Sequence, residues 1–335
     1  FTSGHAVRSL PKVHSQRARH LLSEGRVGSH ATASGDQGGP GWLPSEDYLK
    51  ALADGRKPSA FWCLRQEGSP LKALCACEVA QGDSSLRSFH FAPRQLAGGA
   101  SGTLPIQWLE VRELPFSAGK LGGHLWDGGV FMALWLLSRS DGHGLAAGGA
   151  ELFEGRRVLE MGSGVGLSGI ALASIADSVV LTDFGNEENG KEVSEDSNRL
   201  VPTGLLRNLE HNLVRNSCRN TCVQHLDWHD FIGKDGGQVR ASERFERIIA
   251  ADCLYYLSDL PALVAALLAH IQEKGLAFFV VPKRSWEGPQ KAERAVVADL
   301  AEALSRHGQV TEVSLFGHSG TIEGKPVSLL QFQKD

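Results

Sequence analysis

The stretch "VLEMGSGVGLSGIALA", residues 158–173, decides the fold. An apolar run breaks into closely spaced glycines and then continues with apolar residues at helical spacing. This order predicts a buried strand, a tight turn and a helix, because glycine lets the chain turn sharply and lets a ligand touch the backbone. The helix N-terminus that follows offers unpaired N–H groups and the positive end of a dipole. The stretch therefore predicts a ligand site at the turn.

The glycines fit two patterns, and each indicates a different nucleoside-bearing cofactor. Counted from Gly164, the segment fits G-x-G-x-x-G, the fingerprint of dinucleotide binding, with Asp183 near the distance expected of a ribose-binding acid. Counted from Gly162, it reads E-x-G-x-G-x-G, with Glu160 ending the strand and Gly166 as the third glycine. Since both cofactors carry a ribose diol, Asp183 does not separate them. The motif alone does not distinguish the two cofactors. It is also compatible with a glycine-rich turn that binds no ligand.

From about residue 120, strands alternate with helices, which is typical of a parallel sheet covered by helices. The predicted strands are short apolar runs over 157–162, 178–184, 222–227, 247–252, 276–281, 310–316 and 327–333. Helices are predicted over 167–175, 203–216, 257–272 and 288–306. The loop between the last two strands has only about ten residues, too short for a helical crossover, which predicts an antiparallel pair.

Ahead of this pattern the composition changes twice. Residues 1–41 combine a basic, acid-poor start with a Gly- and Ser-rich stretch, which predicts a tail and a flexible linker. Residues 42–104 return to helix- and strand-like patterns and are expected to form an N-terminal extension before a domain over 105–335. Residues 185–204 are polar and mostly acidic, which predicts a surface insertion. Because the chain begins with Phe1, we expect it to be trimmed or a fragment.

Composition and charge exclude several classes of protein. With 34 Lys and Arg against 38 Asp and Glu, the net charge of −4 argues against non-specific binding of nucleic acid. No apolar run approaches the roughly 18 residues of a membrane helix. The six cysteines lack the paired spacing of a zinc site, so free thiols and no metal are expected. We expect a cytoplasmic monomer; the basic start, which fits a solvated tail, also fits an organellar transit peptide.

Five stretches in one order resemble the eukaryotic seven-strand protein-lysine methyltransferases that use S-adenosylmethionine. The glycine stretch with Glu160 resembles their cofactor loop. The stretch "GGHLWDGGVFMALWL" (122–136) is similar to a tryptophan-bearing helix start, and "LRNLEHNLVRN" (206–216) to an L-x-x-N-x-x-x-N helix through Leu209, Asn212 and Asn216. The stretch "LDWHD" (226–230) is similar to an Asp-Trp turn beside the adenine, and "AADCLYY" (250–256) to a D-x-x-Y stretch after the fourth strand. The resemblance covers roughly residues 105–333.

This resemblance implies an α/β fold with a Rossmann-like, seven-stranded sheet, mostly parallel with an antiparallel last strand, flanked by helices and preceded by the N-terminal extension. It implies S-adenosylmethionine as the cofactor, lying across the carboxyl ends of the strands. The expected cofactor-binding residues are Trp126, Glu160, Gly162, Gly164, Gly166, Asp183, Asp227, Trp228 and Asp252. Among them, Asp183 is expected to accept the ribose hydroxyls, Glu160 to engage the amino acid end, and Trp228 to cover the adenine.

Asp252 and Tyr255 are the expected catalytic residues. A lysine acceptor must be neutral, and deprotonating it at pH 7 from a pKa near 10.4 costs about 4–5 kcal/mol. A carboxylate alone would raise that pKa, so Asp252 is expected to orient the nitrogen rather than to act as a strong base. Tyr255 is expected to form an aromatic wall that favours a cationic transition state. Arg284 and Trp286 are expected to line the entrance for the protein substrate.

The resemblance therefore implies methyl transfer to a lysine side chain of a protein. The alternatives are methylation of histidine, an N-terminus or a small molecule, and a non-catalytic cofactor-binding scaffold whose first hundred residues bind a partner. An NAD-dependent oxidoreductase is disfavoured, because "LDWHD" and the closing antiparallel pair do not belong to that fold.

Overall fold

A computed structural model describes most of the chain from residue 41 onward, over residues 41–44, 62–65, 75–79, 85–91, 107–115, 121–137, 149–185, 204–233, 239–282, 296–313, 321–322 and 325–335. The predictions for residues 1–40, for most of the acidic insertion and for Arg284 and Trp286 lie outside these residues.

Five N-terminal strands form an antiparallel meander: β1 Gly41–Pro44, β2 Trp62–Arg65, β3 Cys75–Val79, β4 Leu86–Phe91 and β5 Gln107–Arg112. The apolar side chains of β4 and β5 are buried against the helices described below. The predicted domain boundary at residues 104 and 105 separates two strands that pair over six residues. The division into domains stays a prediction.

The central sheet has seven strands: β6 Arg157–Met161, β7 Ser178–Asp183, β8 Thr221–His225, β9 Phe245–Ala251, β10 Ile271–Pro282, β11 Gly308–Val313 and, after the short β12 Thr321–Ile322, β13 Lys325–Lys334. Their order is β8-β7-β6-β9-β10-β13-β11. Neighbours from β8 to β10 are parallel, whereas β13 is antiparallel to both β10 and β11. The predicted α/β, Rossmann-like fold with an antiparallel last strand is confirmed.

Helices cover both faces of this sheet: α1 Asp127–Leu136, α2 Ala150–Phe153, α3 Leu167–Leu172, α4 Leu205–Arg215, α5 Leu260–His270 and α6 Val296–Ser305. Helices α1 to α4 share one apolar cluster and α5 and α6 share the other. Successive strand residues alternate between the clusters, Val158 and Phe278 facing the first and Leu159 and Phe279 the second. None of the described helices is long and apolar enough to cross a membrane.

The helix predicted over 257–272 is wrong at both ends. Residues Leu257–Asp259 form a 3-10 turn, and α5 begins beside Pro261, which suits a first helical turn because proline lacks an N–H. The helix ends at His270, because Ile271 is extended and pairs with Phe245. Strand β10 therefore starts five residues earlier than predicted, with a register shift before Leu276. The helix predicted from residue 167 likewise ends at Leu172 instead of 175.

An aromatic cluster in the first core predicts a large loss of stability on truncation. Phe278 is fully buried, with its ring centroid 5.0 Å from that of Trp135 and 5.3 Å from that of Phe153. Phe278→Ala should lower the free energy of unfolding by about 3–5 kcal/mol, measured by urea denaturation. Val214→Ala, at a side chain 79% exposed on α4, is the control and should change it by less than about 0.5 kcal/mol. Equal effects of the two substitutions would contradict this core.

Candidate active site

A cavity of about 320 Å³ lies where β6, β7, β8 and β9 end. This is the edge at which parallel α/β sheets bind ligands. The predicted residues that line it are Trp126, Glu160, Gly162, Gly164, Asp183, Asp227, Trp228, Asp252 and Tyr255. Among the predicted site residues that the structure describes, Gly166 alone lies outside the cavity wall.

The glycine loop forms the floor of this cavity. Gly162, Gly164 and Gly166 have φ angles of +69°, +55° and +85°, the left-handed region that favours glycine. A Cβ on Gly164 would lie 3.1 Å from the carbonyl oxygen of Gly122, in the loop before α1. A Cβ on Gly166 would collide with Leu209 of α4. Gly166 thus allows α3 to pack on α4, while the other two glycines face the cavity.

Asp183, at the end of β7, is fixed by the backbone. Its Oδ2 accepts a hydrogen bond from the N–H of Gly164 at 2.8 Å, and its Oδ1 accepts one from the N–H of Phe184 at 2.7 Å. Burial raises the pKa of Asp183, and these two hydrogen bonds oppose that rise. Each oxygen keeps a further lone pair, so the carboxylate can still accept the two hydroxyls of a diol.

Glu160 is a buried acid of the site with a strongly raised pKa. Its side chain is buried at the end of β6, where Oε2 accepts a hydrogen bond from the N–H of Gly169 at 3.1 Å. Burial raises the pKa of Glu160 to about 8, although hydrogen bonds with Ser163 and Ser168 lower it. A positively charged group in the cavity would favour the ionised form and lower this pKa again. The site is therefore suited to a cationic ligand.

Asp252 follows β9 in a strained conformation. Its φ of +51° is uncommon for a residue with a Cβ, and its N–H donates to the carbonyl oxygen of Val280 at 2.9 Å. A Cβ on Gly128 would lie 2.6 Å from the Cβ of Asp252. The first turn of α1 can approach Asp252 this closely only because residue 128 is glycine. Such strain clusters at functional sites.

Two aromatic rings form one wall of the cavity. The ring centroids of Trp126 and Tyr255 are 5.6 Å apart, with an interplanar angle of 60°. Trp126 is held in place because its Nε1–H donates to the carbonyl oxygen of Leu121 at 2.9 Å. Trp228 lies on another wall, where its ring would be 3.3 Å from a Cβ on Gly162.

The cavity also contains residues that the sequence analysis missed. Phe184 lines the cavity. Its place in the sequence, directly after the acid that ends β7, could have indicated this position. His229 also lines the cavity, with Nδ1 3.2 Å from Oδ1 of Asp227 and Nε2 3.7 Å from Oδ1 of Asp259. Asp259 comes from a segment thirty residues further along the chain, and no sequence signal links it to His229.

The described residues contain no cluster of three or more His, Cys, Asp or Glu side chains suited to a metal ion. Cys218, Cys222 and Cys253 are free thiols. Cys253 lines the cavity, where its Cβ would lie 2.8 Å from a Cβ on Gly162.

The fold and the cavity define an α/β protein whose cavity is built on a glycine loop and a strand-end acid, at the carboxyl edge of the parallel strands. Residues 109–296, more than half of the chain, match the model of the lysine methyltransferase family. The chain belongs to this family.

Several curated proteins are similar to the chain. The calmodulin-lysine N-methyltransferase of Arabidopsis thaliana is 29% identical over 140 residues, which are 40% of this chain and 40% of that protein. The protein-lysine N-methyltransferase EFM6 of Saccharomyces cerevisiae is 28% identical over 153 residues, which are 44% of this chain and 57% of that protein. The matched region spans about half the length of these relatives.

Among solved structures, the Thermus thermophilus 16S rRNA N2 G1207 methyltransferase RsmC, in complex with AdoMet and guanosine, is 17% identical with a TM-score of 0.41. The match covers 77% of this chain and 53% of RsmC. The ribosomal protein L11 methylase of Lactobacillus delbrueckii subsp. bulgaricus is 18% identical with a TM-score of 0.35, over 54% of this chain and 72% of the methylase.

The raised pKa of Glu160 predicts a pH-dependent cost in stability. The unfolded chain ionises this carboxyl near pH 4.5, whereas the folded protein keeps its proton until about pH 8. The contribution of Glu160 to the free energy of unfolding is therefore full below pH 4.5 and is lost as pH rises towards 8. Glu160→Gln has no proton to lose, so its stability relative to the wild type should increase between pH 5 and pH 8.

Urea unfolding at pH 5, 6.5 and 8 measures this trend. Glu210→Gln is the control, because Glu210 is exposed on α4 and its carboxyl stays in water in both states. A difference between Glu160→Gln and wild type that stays constant over this pH range would contradict the buried, protonated state of Glu160.

Proposed function

We propose that the chain is an S-adenosylmethionine-dependent N-methyltransferase that acts on a lysine side chain of a protein. The family match and the names of the curated relatives support this proposal. The observation that carries it is the pair of carboxyl groups, the buried Glu160 and the half-buried Asp183, that flank the glycine loop at one cavity. We also propose that the enzyme is a cytoplasmic monomer.

The cavity fits the chemistry of this cofactor. S-adenosylmethionine supplies an activated methyl group on a sulfonium cation, together with an adenosine and a charged amino acid end. Asp183 would accept the ribose hydroxyls, and Glu160 would meet the cationic amino acid end. Trp228 would cover the adenine, beside the turn that begins at Asp227. That turn is well defined, since Oδ1 of Asp227 accepts a hydrogen bond from the N–H of His229 at 2.9 Å.

The remaining residues would handle the acceptor. Methyl transfer needs alignment and exclusion of water more than it needs a strong base. A pocket walled by Trp126 and Tyr255 removes water from the incoming amine, which lowers the amine's pKa and favours its neutral form. Asp252 would accept a hydrogen bond from the nitrogen and orient it. The two aromatic rings would stabilise the positive charge that spreads from sulfur to nitrogen.

Removal of the Asp183 carboxylate tests the cofactor assignment. Asp183→Ala loses two hydrogen bonds from a charged acceptor, so the Kd for S-adenosylmethionine, measured by calorimetry, should rise about 100-fold or more. Asp230→Ala, at an exposed acid that does not line the cavity, is the matched control and should keep the wild-type Kd. Thermal unfolding of both variants checks their folding. Absence of binding heat for the wild type at millimolar S-adenosylmethionine or S-adenosylhomocysteine would overturn the proposal.

The acceptor is tested with radiolabelled S-adenosylmethionine and a whole-cell lysate, followed by mass spectrometry of the labelled band. We expect label on a lysine side chain, and Asp252→Asn should slow its incorporation about 100-fold by misplacing the nitrogen. Label on histidine, on an N-terminus or only in the small-metabolite fraction would replace the lysine proposal with that acceptor. Binding of the cofactor without any incorporation would support a scaffold instead.

A further inference from the structure

Helix α4 closes the open edge of β5 with a row of asparagine side chains. Strand β5 pairs with β4 on one side, and its other edge faces α4. Asn208, Asn212 and Asn216 are four residues apart, so they lie on one face of the helix. Asn208 and Asn212 are fully buried. An open strand edge needs partners for its peptide groups, and this face supplies them.

Two of these asparagines bind β5 in the same bidentate way. Oδ1 of Asn216 accepts from the N–H of Glu110 at 2.8 Å, and its Nδ2 donates to the Glu110 carbonyl at 2.6 Å. Oδ1 of Asn212 accepts from the N–H of Arg112 at 2.8 Å, and its Nδ2 donates to the Arg112 carbonyl at 3.2 Å. Each side-chain amide thus takes the place of a peptide group in a neighbouring strand.

The two asparagines differ in a further hydrogen bond from Nδ2. Asn216, the residue that follows α4, donates it to the carbonyl oxygen of Asn212 in that helix, at 2.7 Å. Asn212 donates it to the carbonyl oxygen of Val165 at 2.9 Å, inside the glycine loop. Val165 lies between Gly164 and Gly166, both of which have positive φ. A single buried side chain therefore holds β5 and the loop of the candidate cofactor site together.

A second contact joins the same strand to the cavity wall. Glu113, one residue beyond β5, accepts a hydrogen bond at Oε1 from the N–H of Leu125 at 2.9 Å. Its Oε2 pairs with Nε of Arg87 on β4 at 2.6 Å. Leu125 lines the cavity, in the loop whose Gly122 faces Gly164. The meander is thus attached to two walls of the cavity, and Asn212 makes the attachment to the glycine loop.

We propose that Asn212 is a positioning residue for the glycine loop, through which the N-terminal meander sets the affinity for the cofactor. The inference rests on the proposed function only in taking S-adenosylmethionine as the ligand. Without the Asn212 amide the Val165 carbonyl loses its partner, and the loop populates conformations that do not bind. The apparent affinity then falls in proportion to the fraction of molecules whose loop still has the binding conformation. Chemistry in the loaded enzyme should be unaffected, because the side-chain hydrogen bonds found for Asn212 among the described residues reach the cavity lining only at the Val165 carbonyl.

The test compares Asn212→Ala with Asn216→Ala in the full chain. Both variants lose a bidentate contact with β5, so both should lose stability in urea unfolding. Only Asn212→Ala loses the contact with the loop, so its Kd for S-adenosylmethionine and S-adenosylhomocysteine should rise about five- to tenfold, the factor that one hydrogen bond contributes. Asn216→Ala should keep its Kd within about twofold of the wild type, and kcat at saturating cofactor should stay within about twofold for both.

Asn212→Ser serves as a second variant if Asn212→Ala does not fold, because its hydroxyl can still bind water but is too short to join both partners. An unchanged Kd in a folded Asn212 variant, or an equal rise in Kd for Asn216→Ala, would overturn the positioning role and leave the proposed function intact. Absence of cofactor binding by the wild type would overturn both proposals together. A rise in Kd confined to the Asn212 variants supports the coupling.

Discussion

The loop that leaves β6 is tied to the end of β7, and the candidate site depends on this connection. The N–H of Ser163 donates to the carbonyl oxygen of Thr182 at 2.9 Å, and the N–H of Thr182 donates to Oγ of Ser163 at 3.0 Å. The hydrogen bond from Gly164 to Asp183 continues the same contact. These bonds hold the loop in one conformation with positive φ at its glycines, which glycine adopts without steric strain, so they offset the backbone entropy that is lost when the loop is ordered.

The same arrangement makes ionisation of Glu160 unfavourable. Glu160 is buried and Asp183 is half-buried beside the loop, and the negative charge of Asp183 adds to the rise in the pKa of Glu160. Burying a carboxylate without a cationic partner is costly, so Glu160 keeps its proton up to about pH 8 in the free protein. A cationic ligand would favour the ionised form, so its binding at neutral pH would release this proton. The protonation state of Glu160 thus links the free protein to the class of ligand that we propose.

The sequence predicted the elements whose signal is local. Strands β6, β7 and β9 are mostly apolar runs with an acid at or beside the carboxyl end (Glu160, Asp183 and Asp252), because both faces of a parallel strand are covered and only its end meets the cavity. The start of β10 at Ile271 was missed, since its extended conformation depends on pairing with Phe245 rather than on any local pattern. The closeness of Gly128 to Asp252 was missed for the same reason: the two residues lie on separate elements, and only the packing of α1 brings them together.

The asparagine row shows what the spacing of a motif cannot predict. The spacing of Asn212 and Asn216 resembles a family motif, but spacing does not reveal that their partners are peptide groups about one hundred residues earlier in the chain. A neighbouring strand would satisfy the edge of β5 equally well, but each of its peptide groups has a single N–H, so a group that donates to β5 could not also donate to the glycine loop. A side-chain amide has two N–H donors and one carbonyl, so one residue can serve both partners. Using a helix to cover this edge is therefore what connects the N-terminal meander to the proposed cofactor site.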